Sequence, residues 1–485
     1  MIIEKITNKI VDLYPYAPTD EQMNLMEQLS FFVVNPNSKK LFLLKGYAGT
    51  GKTTVVATLV KALRQMKLKT VLMAPTGRAA KVFSQYSGYT AYTIHKKIYR
   101  QKSITDNTSF QLNRNSYEDT LFIVDESSMI SNQGLSGNMF GTGRLLDDLI
   151  TFVYSSKGCS LLLLGDTAQL PPVGESESPA LIEKELASYG LDINSFLLKT
   201  VMRQTYSSGI LYNATVIRNM LPERVELPVE IMSGYKFKIS GFSDVVRIGG
   251  QDLIETISSC YSKDGIDETI VLCRSNKRAI IYNNGIRNTI LDREDELNKG
   301  EHLMIVKNNY YWTEHLAPED RDSYLDYPSF IANGDVAVVQ RIRRSTELYG
   351  FRYVNVTLTF PDYDDIEMDV TLMLDTLHSE SPSLTAQENE KLFSNVMEDY
   401  IHIRSKKERM KQMRENMYYN AIQVKYAYAI TCHKAQGGQW KNVFIDQGFV
   451  PDGGRNADYA RWLYTALTRA TETVYLVNWP EKEIE

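Results

Sequence analysis

One stretch, Gly46-Tyr-Ala-Gly-Thr-Gly51-Lys52-Thr53, constrains this chain more than any other feature. It fits GxxxxGK[ST] and stands between an apolar run at residues 41–44 and a segment, 53–67, in which Val55, Val56, Leu59, Val60, Leu63 and Met66 recur at the helical period. A strand, a glycine-rich turn and a helix in that order form a loop whose backbone N–H groups turn inward around phosphate oxygens, with the positive end of the helix behind them. Gly46, Gly49 and Gly51 supply the turn. Lys52 would meet the β- and γ-phosphates of a nucleotide, Thr53 would offer a hydroxyl to Mg²⁺, and Thr54 would add a further nucleotide contact.

The same rhythm repeats. Apolar runs at 41–44, 70–74, 121–124 and 161–164 alternate with helical segments, which implies a parallel sheet covered on both faces. A weaker version returns at 269–272, 443–445 and 474–477. Between these, Val354, Val356, Leu358 and Phe360, and then Val370, Leu372 and Leu374, alternate with polar residues, the period of half-buried antiparallel strands. A small β-module is therefore expected inside the second α/β region. The run 405–416, SKKERMKQMREN, reads as a charged helix with a solvated face.

Nucleotide hydrolysis also needs acid at the end of a neighbouring strand. Asp125-Glu126 follows the apolar run 121–124 and provides two carboxylates there. Asp125 would orient Mg²⁺ through its water shell, and Glu126 would act as general base. These features alone describe an NTPase and would suit a kinase or GTPase equally well.

Composition adds limits. A length of 485 residues suggests roughly three structural units. Cys159, Cys260, Cys273 and Cys432 are scattered, at no metal-ligand spacing, and read as reduced thiols. There is no leader-like start and no uncharged run long enough for a bilayer, so the expected location is cytoplasmic, with no membrane partner. The net charge of −5 argues against a protein that coats duplex DNA, but leaves room for a local groove.

Further motifs give the chain a resemblance, over nearly its whole length and in the expected order, to the superfamily 1B helicases related to RecD and Dda. Pro18-Thr-Asp-Glu-Gln22 resembles the element in which a glutamine, here Gln22, reads adenine. Ala74-Pro-Thr-Gly-Arg-Ala-Ala80 is similar to motif Ia and Thr93-Ile-His95 to motif Ib, which makes Thr76, Arg78, Thr93 and His95 candidate contacts to a DNA backbone. Gly165-Asp-Thr-Ala-Gln169 resembles motif III, whose glutamine would sense the γ-phosphate. Arg203, in Val201-Met-Arg-Gln204, matches motif IV, and Arg469, in Tyr464-Thr-Ala-Leu-Thr-Arg469, matches motif VI. Both would act as arginine fingers, since a planar and always-charged fork suits phosphate oxygens. Thr431-Cys-His-Lys-Ala-Gln436-Gly437 resembles motif V; there Thr431, His433 and Lys434 would grip DNA while Gln436 and Gly437 approach the nucleotide.

What the resemblance implies is an α/β fold of two RecA-like P-loop domains, 1–200 and 201–485. The first would carry a pin-like β-hairpin at about 92–118 with Phe110 as a wedge, and the second an SH3-like β-module at about 300–420 that includes Asn333-Gly-Asp335. The implied activity is ATP- and Mg²⁺-dependent DNA unwinding by a monomer that moves 5′ to 3′ on single-stranded DNA and acts at duplex junctions. An RNA-directed motor of the same fold, or an NTP-dependent switch that never translocates, remain open on the residues alone. Residues 386–420 exceed what an SH3-like insert requires.

Overall fold

The computed structural model describes residues 2–37, 39–101, 110–134, 141–201, 207–221, 231–232, 234–314, 328, 330–451 and 453–485. The chain gathers into two compact units. One comprises Met1–Arg247, Ala435–Val443 and Phe449–Glu485; the other comprises Ile248–Lys434 and Phe444–Gly448.

In the first unit the expected apolar runs are strands. Among the described residues they form a six-stranded sheet in the order Ala91–Thr93, Lys69–Ala74, Thr120–Val124, Ser160–Gly165, Lys40–Gly46 and Asp192–Leu198, with every pair parallel. The Thr120–Val124 and Ser160–Gly165 strands are buried at every position, because helices cover both faces of a parallel sheet and leave no wet side. The helix Lys52–Gln65 turns its predicted stripe inward, burying Val55, Val56, Leu59, Val60 and Leu63 against Phe42, Leu44 and Leu162. Because the strands are parallel, their carboxyl ends lie along one edge of the sheet, where open α/β folds bind ligands. The chain segments that leave that edge are the glycine-rich loop after Gly46, Asp125 after Val124 and Asp166 after Gly165.

A short antiparallel hairpin, Tyr99–Gln101 with Phe110–Leu112, stands where the pin was expected. Its connecting residues, 102–109, lie outside the described residues. Phe110 corrects the expectation of a wedge: it is only 6% exposed, and an aromatic ring gains more by packing than by standing in water.

In the second unit five strands close a barrel: His302–Ile305, Val336–Leu348, Phe351–Phe360, Ile366–Met373 and Ile422–Tyr426. The period-two residues Val354, Val356, Leu358, Phe360, Val370, Leu372 and Leu374 are all buried. The excess length before the barrel's last strand is accounted for by packing. Helices Ala386–Glu398 and Lys406–Arg414 send Leu392, Val396 and Met413 against Phe351, Tyr353 and Met373. Thr385 and Glu388 start the first of these helices with a reciprocal capping box.

Where the barrel begins, Glu301 is completely buried between two guanidinium groups. Arg287 Nε reaches Glu301 Oε1 at 3.0 Å and Arg293 Nη1 reaches the same oxygen at 3.1 Å, while Tyr428 OH donates to it at 2.8 Å. Removing the carboxylate would leave two cations facing each other in the interior. Glu301→Ala is expected to destabilise the second unit by about 3–5 kcal/mol, read as faster hydrogen exchange of the barrel amides. Unchanged exchange would contradict this account of the cluster.

Candidate active site

The glycine-rich loop is built around its own side chains. Gly49 and Gly51 adopt positive φ, 75° and 87°, a region open to glycine but costly for other residues. A Cβ on Gly51 would come within 2.7 Å of Gln22 Nε2, and one on Gly46 within 2.8 Å of Lys52. Lys52 Nζ donates to the carbonyls of Gly46 and Tyr47, at 2.6 and 3.0 Å. Thr53 Oγ1 donates to Asp125 Oδ2 at 3.0 Å, so the hydroxyl and the carboxylate expected to share a metal already face each other.

Burial raises the Asp125 carboxyl to about 6, with the neighbouring Glu126 charge adding to the rise; a bond from the Glu126 amide, the Lys52 charge and the Thr53 hydroxyl oppose it. Glu126 itself sits at φ 52°, in the left-handed region, a strain of about 1–2 kcal/mol for a residue with a Cβ. The strained backbone turns its carboxylate toward Arg469, whose Nη1 lies 3.8 Å away. Arg469 is 3% exposed and is fixed by bonds to the carbonyls of Thr465 and Gly438. Gln169 is also buried, and its Oε1 accepts no hydrogen bond from the described residues. Lys52, Thr53, Asp125, Glu126, Gln169 and Arg469 line one cleft of about 560 Å³, together with Gly49, Gly51, Thr54 and Gly437. All of these residues belong to the first unit.

Two groups escaped the sequence reading. Asp166, at the end of the strand beside the one that ends in Asp125, is buried, and burial raises its carboxyl against the opposing charge of Lys52. Tyr464 OH donates to Asp166 Oδ2 at 2.6 Å and accepts from the Ala48 amide of the glycine-rich loop at 2.8 Å. Its neighbour Thr465 accepts from the Leu170 amide at 2.9 Å, and Gln436 Nε2 donates to the Leu170 carbonyl at 2.6 Å. The 166–170 loop is thus held by two segments that lie almost 270 residues or more further along the chain. Asp166 had a sequence signal, a carboxylate directly after an apolar run, the pattern that marked Asp125. Tyr464 had none, because nothing in a helix sequence marks a tyrosine that reaches into a neighbouring loop.

Several expected contacts are engaged within the protein. Gln22 is 1% exposed; its Nε2 donates to the Thr50 carbonyl and its Oε1 accepts from the Thr19 amide, so its carboxamide ties a helix start to the glycine-rich loop. Thr76 and Thr93 are helix N-caps, accepting from the amides of Ala79 and Lys96. Arg78, a candidate contact to the DNA backbone, stacks on Trp440 at 4.1 Å and donates to the Gln439 carbonyl. Burial lowers His95 to about 4, so it is neutral at pH 7 and could meet a phosphate only as a neutral donor. Gly437, at φ 74°, packs so closely on Ala79 and Thr76 that a Cβ would fall within about 3 Å of both. Thr431, His433 and Lys434 fall in the second unit, His433 exposed and the other two partly buried. Arg203 lies outside the described residues.

Two family models match the chain: an AAA domain over residues 19–219, and a UvrD-like helicase C-terminal domain over residues 426–477. A protein of Acanthamoeba polyphaga mimivirus is 24% identical over 94% of this chain and 98% of its own length. The ATP-dependent RecD2 DNA helicase of Deinococcus radiodurans is 32% identical over 32% of this chain, a match that spans 18% of that protein. Among solved structures, a Pif1 helicase from Bacteroides in complex with ADP-AlF3 and ssDNA is 16% identical, over 97% of this chain and 95% of that one, at a TM-score of 0.46. No described helix is long and apolar enough to cross a membrane.

Tyr464→Phe removes one hydroxyl and leaves the buried Asp166 carboxylate and the Ala48 amide each short of a partner. The variant is expected to lose about 1–3 kcal/mol of stability, read as a lowered thermal midpoint. A midpoint equal to that of the wild type would contradict the bonding described.

Proposed function

We propose that this chain, which belongs to the superfamily 1B helicases, hydrolyses ATP in the cleft around Lys52 and uses the cycle to move along single-stranded DNA and separate strands. The observation that carries the proposal is the meeting of Thr53–Asp125 with Glu126–Arg469 beside one glycine-rich loop. A phosphate-binding loop alone needs no arginine beside the general base. A cleft that must stabilise charge spreading over a transferred phosphoryl group does.

In this reading the loop amides and the amino end of the Lys52–Gln65 helix hold the triphosphate. Lys52 exchanges the carbonyls of Gly46 and Tyr47 for the β- and γ-phosphates. Glu126 orients a water and takes its proton as the water oxygen bonds to the γ-phosphorus; the bond from that phosphorus to the β–γ bridging oxygen breaks, giving ADP and phosphate. Arg469 is placed to meet the charge that develops on the γ-oxygens, and Arg203 is a second such finger by family resemblance alone. The donor set suits Mg²⁺, which prefers hard oxygens and keeps several waters: Thr53 offers a hydroxyl and Asp125 a carboxylate. When bound, Mg²⁺ would neutralise phosphate charge and orient the nucleotide.

The contacts around Leu170 support coupling to a track. Gln169 faces the cleft while its neighbour Leu170 is gripped by Thr465 and Gln436, so a shift of Gln169 on phosphate release would be felt in the segment that follows His433 and Lys434. We assign 1–200 and 201–485 to two RecA-like domains, Thr76, Thr93, His95, Thr431, His433 and Lys434 to the DNA backbone, and Gln22 to adenine after exchange of its present bonds. Movement 5′ to 3′, action as a monomer, and a part in DNA repair, recombination or replication complete the proposal.

Three outcomes test it. ATP turnover is expected to rise at least about tenfold when single-stranded DNA is added; a rate indifferent to DNA but raised by a protein would favour the switch, and a preference for matched RNA would favour the RNA motor. Arg469→Lys is expected to lower turnover about 1,000-fold, because an ammonium cannot reproduce the bidentate fork; a loss below tenfold would remove Arg469 from the chemistry. Duplexes with a 5′ overhang are expected to be unwound and those with a 3′ overhang left intact; the reverse would refute the polarity.

A further inference from the structure

The turn that leads into the Val336–Leu348 strand of the barrel is closed by a buried carboxylate. Ala332 N donates to Asp335 Oδ2 at 2.7 Å, and Asp335 N returns a bond to the Ala332 carbonyl at 3.1 Å. Tyr363 OH donates to the same Oδ2 at 2.9 Å. Between these anchors, Asn333 N donates to Asn308 Oδ1 at 2.6 Å and Gly334 N to the Ile305 carbonyl at 2.9 Å. Gly334 takes φ 99°, which a residue with a Cβ would resist. The backbone of the turn is therefore fixed on each side of Asn333, and the exposed Asn333 side chain starts from a set position.

Asn333 Oδ1 accepts from Lys434 Nζ. The choice of partner matters. A carboxylate would cancel the ammonium charge, whereas an amide oxygen orients the ammonium and leaves its charge in place. A second ammonium is treated the same way: Lys425 Nζ donates to the carbonyls of Thr376 and Ser379. Burial lowers both lysines to about 8, and the Lys434 charge contributes to the lowering at Lys425, so the two cations sense each other. Held by neutral oxygens, each ammonium keeps a charge that an anion can meet. All of these groups belong to the second unit.

We propose that Asn333 is a positioning residue by which the inserted barrel holds Lys434 in place to bond a backbone phosphate of the nucleic-acid strand. This rests on the function proposed above and deepens it. The barrel then serves the motor by setting how firmly one lysine grips the track.

The test measures ATP turnover against single-stranded DNA concentration for the full chain and for Asn333→Ala, Lys434→Ala and the double variant. Asn333→Ala is expected to raise the DNA concentration for half-maximal stimulation about 3- to 10-fold, with turnover at saturating DNA held. The double variant is expected to bind no more weakly than Lys434→Ala, because Asn333 acts only through that lysine. Asn333→Asp keeps the shape of the side chain but neutralises Lys434, and is expected to lower the log–log salt slope of binding by about 0.7, the contribution of one single-strand phosphate. If the wild type responds to DNA while Asn333→Ala behaves like it, or if the two alanine effects add, the positioning role is overturned and the proposed function stands. If the wild type itself ignores DNA, the functional reading falls and this inference falls with it.

Discussion

Two carboxylates kept out of water at the ends of neighbouring strands set the terms for the rest of the first unit. Asp125 and Asp166 both resist ionisation because of burial, and both are drawn back toward it by Lys52. An unpaired buried charge would cost several kcal/mol, so each has its own hydrogen bonds: Thr53 and the Glu126 amide for Asp125, the Tyr464 hydroxyl and the Ala168 amide for Asp166. The parallel sheet puts the two acids on neighbouring strands, and the glycine-rich loop brings Lys52 into the same cleft. A triphosphate with its metal would replace protein contacts that Lys52 and Thr53 now make with main-chain and carboxylate oxygens.

Polar groups around the cleft explain why distant segments belong to this unit. Asp166 is satisfied by a tyrosine at position 464, Leu170 by a threonine at 465 and a glutamine at 436, and Glu126 by Arg469. Each bond joins a group near the cleft to the C-terminal part of the chain. A change in phosphate charge at the cleft thus acts on buried polar groups whose partners are few and whose loss is expensive. In the proposed function, these contacts would carry the effect of phosphate release to the C-terminal segments without a longer pathway.

Much of this was legible in the sequence, for identifiable reasons. Glycine-rich turns between a strand and a helix, and acids directly after apolar runs, are local patterns, so the sheet strands, the Thr53–Asp125 pairing and the barrel periodicity could be anticipated. Long-range side-chain choices could not. Nothing local distinguishes Tyr464 from a core tyrosine, shows that Phe110 turns inward, or shows that Arg78 lies on Trp440. Thr76 and Thr93 show a further ambiguity, because a hydroxyl that suits a phosphate is also the preferred start of a helix. The helices before the last barrel strand looked like surplus length since their sequence is mostly polar; their apolar residues, with Leu392, Val396 and Met413 buried, are the ones that pack.

The central claim is that Lys52 and Arg469 act on the same phosphate. A structure of the chain with Mg²⁺ and a non-hydrolysable ATP analogue tests it most directly. The account predicts that Lys52 Nζ leaves the carbonyls of Gly46 and Tyr47 for the β- and γ-phosphates, and that Arg469 moves from Glu126 to within hydrogen-bond distance of a γ-oxygen. An analogue bound with Lys52 still on those carbonyls, or with Arg469 turned away from the γ-phosphate, would contradict it.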